Sequence, residues 1–231
     1  MKFDIIRYSC FLSIIMLVFA CSNSSKSDGA ISISEPRYRD KTELISILNQ
    51  VKHIKKENLI NVVQSEDGIF KYHKRMGEFN FQVHFEPTDY IILKENKDLE
   101  LDESLINIKR KELGETKHFT LRIWSDKNRN ELLKYKLEDE SQYSNRLAYY
   151  ANSIINDIKI IVNNDTIKPS VVHFERTFGI DPFLTFTMVF DENLSLSGDL
   201  TFCYFDRVFE NGNINIKIPK EIILRQPTLK T

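Results

Sequence analysis

Cysteine, tryptophan and glycine are scarce in this sequence of 231 residues, which has 3 Cys, 1 Trp and 7 Gly. Loops that cradle phosphate groups need closely spaced glycines, and neither the dinucleotide-binding nor the P-loop pattern is present. The Gly-x-Ser-x-Gly pattern of serine hydrolases and the His-Glu-x-x-His pattern of zinc proteases are also missing. The sequence therefore predicts no catalytic residue and no cofactor.

An excess of one charge is also missing. The 32 basic residues nearly balance the 33 acidic ones, which gives a formal net charge of −1. Because nucleic-acid binding needs a clustered positive charge, this balance predicts no nucleic-acid partner. With 42% hydrophobic and 28% charged residues, the composition is typical of a globular protein large enough for one sizeable domain or two small ones.

The N-terminus has the organisation of an export signal. Lys2 and Arg7 precede an apolar run over residues 8–20, and a polar segment, residues 22–29, follows it. A bilayer-spanning helix needs about 20 apolar residues, so this run is too short to remain as a membrane span. A basic start, a short apolar run and a small residue at its end are typical of a secretory signal peptide. We therefore expect residues 1–20 to be removed.

The four residues Val18-Phe19-Ala20-Cys21 resemble the lipobox of bacterial lipoproteins, although Phe19 is bulkier than the usual residue there. The resemblance implies that the Cys21 thiol receives a diacylglycerol, that cleavage occurs before it, and that the new amine is acylated. Cys21 is thus the predicted lipid-attachment site, and the membrane is a predicted partner. Ser22 resembles the second residue of lipoproteins sorted to the outer membrane, so we expect a lipid-anchored protein of the cell envelope, in the outer membrane.

Residues 21–36 are Ser-rich at their start and end at Pro36, a composition that predicts a flexible tether. Beyond this tether only Cys203 remains, because Cys10 leaves with the signal and Cys21 is lipidated. The exported chain therefore contains no internal disulfide and depends on its apolar core. Cys203 lies in an apolar run, which predicts a buried structural thiol.

Hydrophobic periodicity predicts an α+β fold. Residues 37–153 form a mixed helix and strand region, with helices predicted from apolar residues at helical spacing over residues 41–57, 102–113 and 141–154. Strands are predicted there from short apolar or alternating runs over residues 58–64, 68–72, 79–85, 90–93 and 117–124.

Residues 154–231 are rich in strand patterns, and Asn211-Gly212 is a strong hairpin signal. Strands are expected over residues 157–162, 167–175, 183–190, 200–209 and 213–218. This succession predicts an antiparallel β-sandwich-like region, which either forms its own module or packs with residues 37–153 as one domain.

Two His-x-Glu patterns are weak candidates for metal ligands. His84 and Glu86 lie on one predicted strand, and His173 and Glu175 lie on another. Because residues i and i+2 of a strand point to the same face, each pair offers two ligands, and the pairs meet if the strands share a sheet. Equally, these residues are polar side chains on the solvent face of half-buried strands.

The absence of a catalytic signature favours a binding or assembly module in the envelope, whose partner is an envelope protein or a glycan. The alternative is a membrane-anchored hydrolase acting on an envelope polymer or glycan. These hypotheses differ in one structural expectation. A hydrolase requires titratable groups gathered in a concave pocket, whereas a binding module does not.

The lipid anchor has a direct test. A Cys21→Ser variant has no thiol to acylate, so we expect it to remain unlipidated and to lose its partition into the membrane fraction. Fractionation with mass spectrometry of the N-terminus measures both. If the variant partitions with membranes and keeps the same N-terminus as the wild type, the lipobox interpretation is wrong.

Overall fold

The computed structural model describes residues 40–96, 101–128, 130–177, 180–191 and 197–230. The predicted signal peptide and tether, residues 1–36, lie outside the described residues, and so does Cys21. All the described residues belong to one compact unit.

The first half of the chain alternates helices with strands. In chain order its elements are α1 (Lys41–Gln50), β1 (His53–Ile54), α2 (Lys56–Gln64), β2 (Lys71–Met76), β3 (Phe79–Glu86), α3 (Thr88–Glu95), α4 (Glu103–Leu113), β4 (Lys117–Ser125) and α5 (Glu140–Ala148). A 3-10 turn over Leu132–Lys134 precedes α5.

The second half begins with a π-helical turn, Tyr149–Ser153, and a 3-10 turn, Ile154–Asp157. The elements that follow are β5 (Ile158–Val162), β6 (Asp165–Ile167), β7 (Val171–Glu175), β8 (Leu184–Phe190), β9 (Leu200–Asp206), β10 (Gly212–Ile218), α6 (Lys220–Leu224) and β11 (Thr228–Leu229).

Side-chain caps start helices α1 and α4, both of which the sequence predicts. The Asp40 carboxylate accepts hydrogen bonds from the backbone N–H groups of Thr42 and Glu43 at 2.8 and 2.9 Å. Asp102 accepts one from the N–H of Leu105 at 2.7 Å, and helix α4 ends before Gly114, whose φ is 57°. An N-terminal carboxylate satisfies otherwise unpaired N–H groups, and glycine tolerates the left-handed conformation that closes a helix.

Two antiparallel sheets organise the fold, and they do not follow the boundary at residue 154. The larger sheet has the order β2-β3-β4-β8-β7, and the smaller has the order β10-β9-β5-β6. A parallel pair, β1 with β11, joins the two ends of the described chain. The predicted α+β class with a sheet-rich C-terminal part is confirmed. Strands β7 and β8 extend the sheet that β2, β3 and β4 begin, so both predicted regions share it.

One apolar core spans both sheets. The odd positions of β3 face it, and Phe81, Val83 and Phe85 are at most 1% exposed. The Phe81 ring lies 6.2 Å from the ring of Tyr204 on β9, which links the larger sheet to the smaller one. Complete burial of such a side chain contributes about 1.5–3 kcal/mol.

Two predicted strands are helices. Residues 58–64 belong to α2, whose Leu59 and Val63 are fully buried and stand four residues apart, as one face of a helix requires. Residues 90–93 belong to α3, where five consecutive residues, 89–93, are buried. A short apolar run does not distinguish a buried strand from a helix, which explains both errors.

Two predicted elements are divided in the structure. The first helix ends at Gln50, and β1 separates it from α2. The strand predicted over residues 167–175 is divided into β6 and β7 around Pro169, because proline has no N–H to donate to a sheet.

Substitution of Asp89 tests how α3 is held against α4 and β11. Its buried carboxylate accepts bonds from Arg110 Nε at 2.8 Å and from the N–H of Leu229 at 2.7 Å, so it ties α3 to α4 and β11. An Asp89→Ala variant should lose roughly 3 kcal/mol of unfolding free energy, because these donors lose their acceptor. Denaturant unfolding measures this. Glu95→Ala, on the exposed end of α3, is the control and should change stability by less than about 0.5 kcal/mol. Equal effects of the two variants would contradict the assignment.

Candidate functional site

The larger sheet has a polar face that is itself buried. On β3 the even positions hold Asn80, Gln82, His84 and Glu86, which are 1%, 4%, 9% and 6% exposed. The sequence predicts this face to be open to solvent, and that prediction is wrong. Burial of polar groups costs free energy unless they find partners, so this face needs an explanation beyond packing.

Helices α2 and α3 cover one end of the polar face. The Tyr90 ring of α3 lies 6.4 Å from the His84 ring, and Gln64 Nε2 at the end of α2 donates to the Tyr90 hydroxyl at 3.1 Å. Lys71 Nζ on β2 donates to the Gln64 carbonyl at 2.8 Å. These contacts bring the two helices over strands β2 and β3.

A cavity of about 410 Å³ remains between the covering helices and the sheet. We call it the sheet-face cavity. All the side chains that line it are polar, including three cations and three carboxylates: Gln64, Glu66, Lys71, His84, Glu86, Tyr90, Lys94, Thr120, Arg122, Glu175 and Thr185.

Three of the four predicted metal candidates meet in this cavity. His84, Glu86 and Glu175 line it, whereas His173 is exposed on the edge strand β7. His84 and His173 lie on the same face of the sheet, but their Cα atoms are separated by three strand spacings, about 14 Å. Metal–ligand bonds are only about 2 Å long, so the two histidines do not share a metal ion. In the ranges that the structure describes, no group of three or more His, Cys, Asp or Glu residues could hold a metal ion.

Four of the six charged groups in the cavity form two pairs. Lys71 Nζ lies 3.0 Å from Glu66 Oε1, and the Lys71 side chain is only 5% exposed. Lys94 Nζ lies 3.2 and 3.3 Å from the two oxygens of Glu86, which also accepts a bond from the Thr120 hydroxyl at 3.3 Å. These pairs stabilise the two recessed charges, Lys71 and Glu86, through partners that reach solvent: the Glu66 side chain is 74% exposed and the Lys94 side chain is 41% exposed.

The remaining two charges, Arg122 and Glu175, have no such partner. Among the described residues, none accepts a hydrogen bond from the Arg122 guanidinium, which lies 5.8 Å from the centre of the Phe183 ring. No described residue donates a hydrogen bond to the Glu175 carboxylate or lies within ion-pair distance of it. The cavity thus keeps one cation and one anion available.

His84 stands between the charged groups as a neutral ring. Burial, together with the positive charges of Lys71, Arg122 and Lys94, lowers the pKa of His84 to about 3. Its Nδ1 lies 4.0 Å from Glu86 Oε1, and its buried Nε2 has no hydrogen-bond partner among the described residues. At neutral pH the imidazole therefore carries no charge and offers one donor and one acceptor.

The sequence predictions missed Lys71, Lys94 and Arg122. A usable signal exists on β4, where His118, Thr120 and Arg122 alternate with apolar residues. Alternation places these residues on the same face as the even residues of β3, once the two strands are paired. Lys94 lies on α3, and part of this helix was predicted to be a strand. Strand alternation therefore did not place Lys94 beside the polar face.

A second cavity, of about 510 Å³, lies beside the turn between β2 and β3. Phe79, Tyr135 and Phe209 form an aromatic part of its wall. Its Glu78 carboxylate accepts bonds from Lys136 and from the Tyr135 hydroxyl, and these bonds lower the pKa of Glu78 to about 2. Glu78 is thus already satisfied within the protein, unlike Arg122 and Glu175.

Cys203 is a free, buried thiol, as the apolar run around it predicts. Burial raises the pKa of the thiol, and its Sγ donates to the Thr201 carbonyl at 3.6 Å. Because the thiolate is the reactive form, these surroundings favour an inert structural cysteine.

Comparison of the chain with protein-family models, curated proteins and solved structures found no match. Across the described ranges, none of the helices has the length and apolar character needed to cross a membrane. The class that the fold defines is thus an α+β domain with a recessed polar cavity on its larger sheet.

Neutral His84 makes stability depend on pH in a definite direction. In the unfolded chain the ring takes up a proton near pH 6.5, whereas in the fold it does so near pH 3. The stabilisation linked to neutral His84 is therefore complete above pH 6.5 and is lost as the pH falls towards 3. When the pH is lowered from 6.5 to 4, the unfolding free energy of the wild type should fall by roughly 3 kcal/mol more than that of a His84→Gln variant, which has no imidazole to protonate. Denaturant unfolding at each pH measures this, and parallel curves for the two proteins would contradict it.

Proposed function

We propose that this chain is a lipid-anchored protein of the bacterial cell envelope, held in the outer membrane through Cys21, and that it is a binding module. Its ligand is a small polar molecule or a polar group on an envelope protein or glycan. The lipobox-like residues support the location, and the tether predicted over residues 21–36 lets the domain reach beyond the membrane surface.

One observation carries the binding function. The sheet-face cavity pairs four of its charged side chains internally and leaves Arg122 and Glu175 without a described partner. Unpaired polar groups in a recess reduce stability, and binding sites are where proteins retain such groups. A cavity of about 410 Å³ also falls within the range typical of small-ligand sites.

Hydrolysis of an envelope polymer is the second candidate, because His84, Glu86 and Glu175 line one concave site. A proton acceptor works best when its pKa is close to the working pH, and burial lowers the pKa of His84 to about 3. The Glu86 carboxylate is also engaged by Lys94 and Thr120. These states suit recognition better than proton transfer, so binding is the function that we propose.

Site-specific cross-linking in cells tests the proposal with the anchored, full-length chain. A photoreactive residue at Thr187, which lies two residues from Thr185 on β8 and on the same face of the sheet, should give a defined adduct with an envelope component. Neutralising the cavity with Arg122→Gln and Glu175→Gln together should reduce the adduct at least about tenfold, because charge-assisted contacts to the ligand are lost.

The matched control places the same photoreactive residue at Lys159, an exposed position on the smaller sheet. No adduct of the same identity is expected there. If both positions give the same adduct, or if the double substitution leaves the Thr187 adduct unchanged, the sheet-face cavity is not the binding site.

A further inference from the structure

We propose that the sheet-face cavity recognises a zwitterion, an amino acid or short peptide with a free amine and a free carboxylate. Arg122 binds the carboxylate and Glu175 binds the ammonium group. This inference rests on the proposed binding function and specifies the chemical class of its ligand.

The register of the sheet places the two charged residues on either side of Thr185. Arg122 on β4 pairs with Thr185 on β8, and Thr185 pairs with Glu175 on β7. The two Cα atoms are thus separated by two strand spacings, about 10 Å. All three side chains line the same cavity, yet Arg122 and Glu175 do not form an ion pair with each other. The gap between their charged groups is the place for a ligand.

The charge balance of the cavity favours a ligand that carries both signs. Lys71 and Lys94 are matched by Glu66 and Glu86, so an incoming group meets one further cation and one further anion. A simple anion would satisfy Arg122 and leave Glu175 desolvated beside it, and a simple cation would do the reverse. A zwitterion satisfies both, and desolvation of an unpaired charge is what a specific site must avoid.

Arg122 is well suited to a carboxylate. A guanidinium offers a planar fork of N–H donors that matches the two oxygens of a carboxylate. The guanidinium carbon also lies 5.8 Å from the centre of the Phe183 ring, a cation–π contact that leaves the N–H donors free for a carboxylate.

His84 provides an additional polar contact without adding charge. Its ring is 9% exposed, lines the cavity and has an Nε2 atom that no described residue satisfies. Because the ring is neutral, it preserves the balance between the cations and the carboxylates. A buried nitrogen without a partner is an independent sign that the polar network of this cavity is incomplete as it stands.

Calorimetric titration of the full-length chain in detergent tests the ligand class. The probes are alanine, the dipeptide alanyl-alanine, its N-acetyl derivative and its C-terminal amide. We expect binding of at least one zwitterion, and we expect the two singly charged derivatives to bind at least about tenfold more weakly than alanyl-alanine.

Two variants assign each end of the ligand to its residue. Arg122→Gln should remove the preference for the dipeptide over its amide, and Glu175→Gln should remove the preference over the N-acetyl derivative. Arg225→Gln and Glu140→Gln, at exposed positions away from the cavity, are the matched controls and should keep both preferences. Circular dichroism of each variant verifies that the fold is retained.

The outcomes distinguish a failure of the zwitterion assignment from a failure of the proposed binding function. Equal binding of all the probes, or binding of neither zwitterion, overturns the zwitterion assignment. If the Thr187 adduct in cells still requires Arg122 and Glu175 in that case, the cavity remains a binding site for another ligand. If the adduct also fails to depend on them, the proposed function fails too.

Discussion

The alternation of side chains along β3 is the constraint on which the rest of the structure depends. Odd positions such as Phe81 and Phe85 enter the core, so even positions such as His84 and Glu86 must face the other side of the sheet. Because α2 and α3 cover that side, these polar groups are buried as well. Strand β3 is buried on both faces, so the side chains of its polar face need hydrogen-bond and ion-pair partners. Those partners line the sheet-face cavity.

The network is nearly complete, and its gaps are informative. Lys71 with Glu66 and Lys94 with Glu86 satisfy one another, whereas Arg122 and Glu175 remain separate. The aromatic second cavity differs, because its Glu78 is held by Lys136 and Tyr135. Incomplete pairing in one cavity, together with the unsatisfied Nε2 of His84, favours ligand binding there over a purely structural role.

Local signals in the sequence were sufficient for much of the fold. The helical spacing of apolar residues over 102–113 and the alternation of residues 79–85 are short-range features, and the structure confirms the elements that they predict. Residues 58–64 and 90–93 were assigned wrongly, because the type of a short apolar run depends on what packs around it. The cavity required knowledge of the strand order: His84, Arg122 and Glu175 come from β3, β4 and β7, and no local pattern shows that these strands share a sheet.

The central claim is that Arg122 and Glu175 are retained for a ligand and not for the fold. The most direct measurement is the unfolding free energy of the Arg122→Met, Glu175→Gln double variant without ligand. If the two charges serve binding, their removal relieves uncompensated desolvation, and stability should stay the same or rise by about 1 kcal/mol. A loss of about 2 kcal/mol or more would show that the charges support the fold, and would contradict the account.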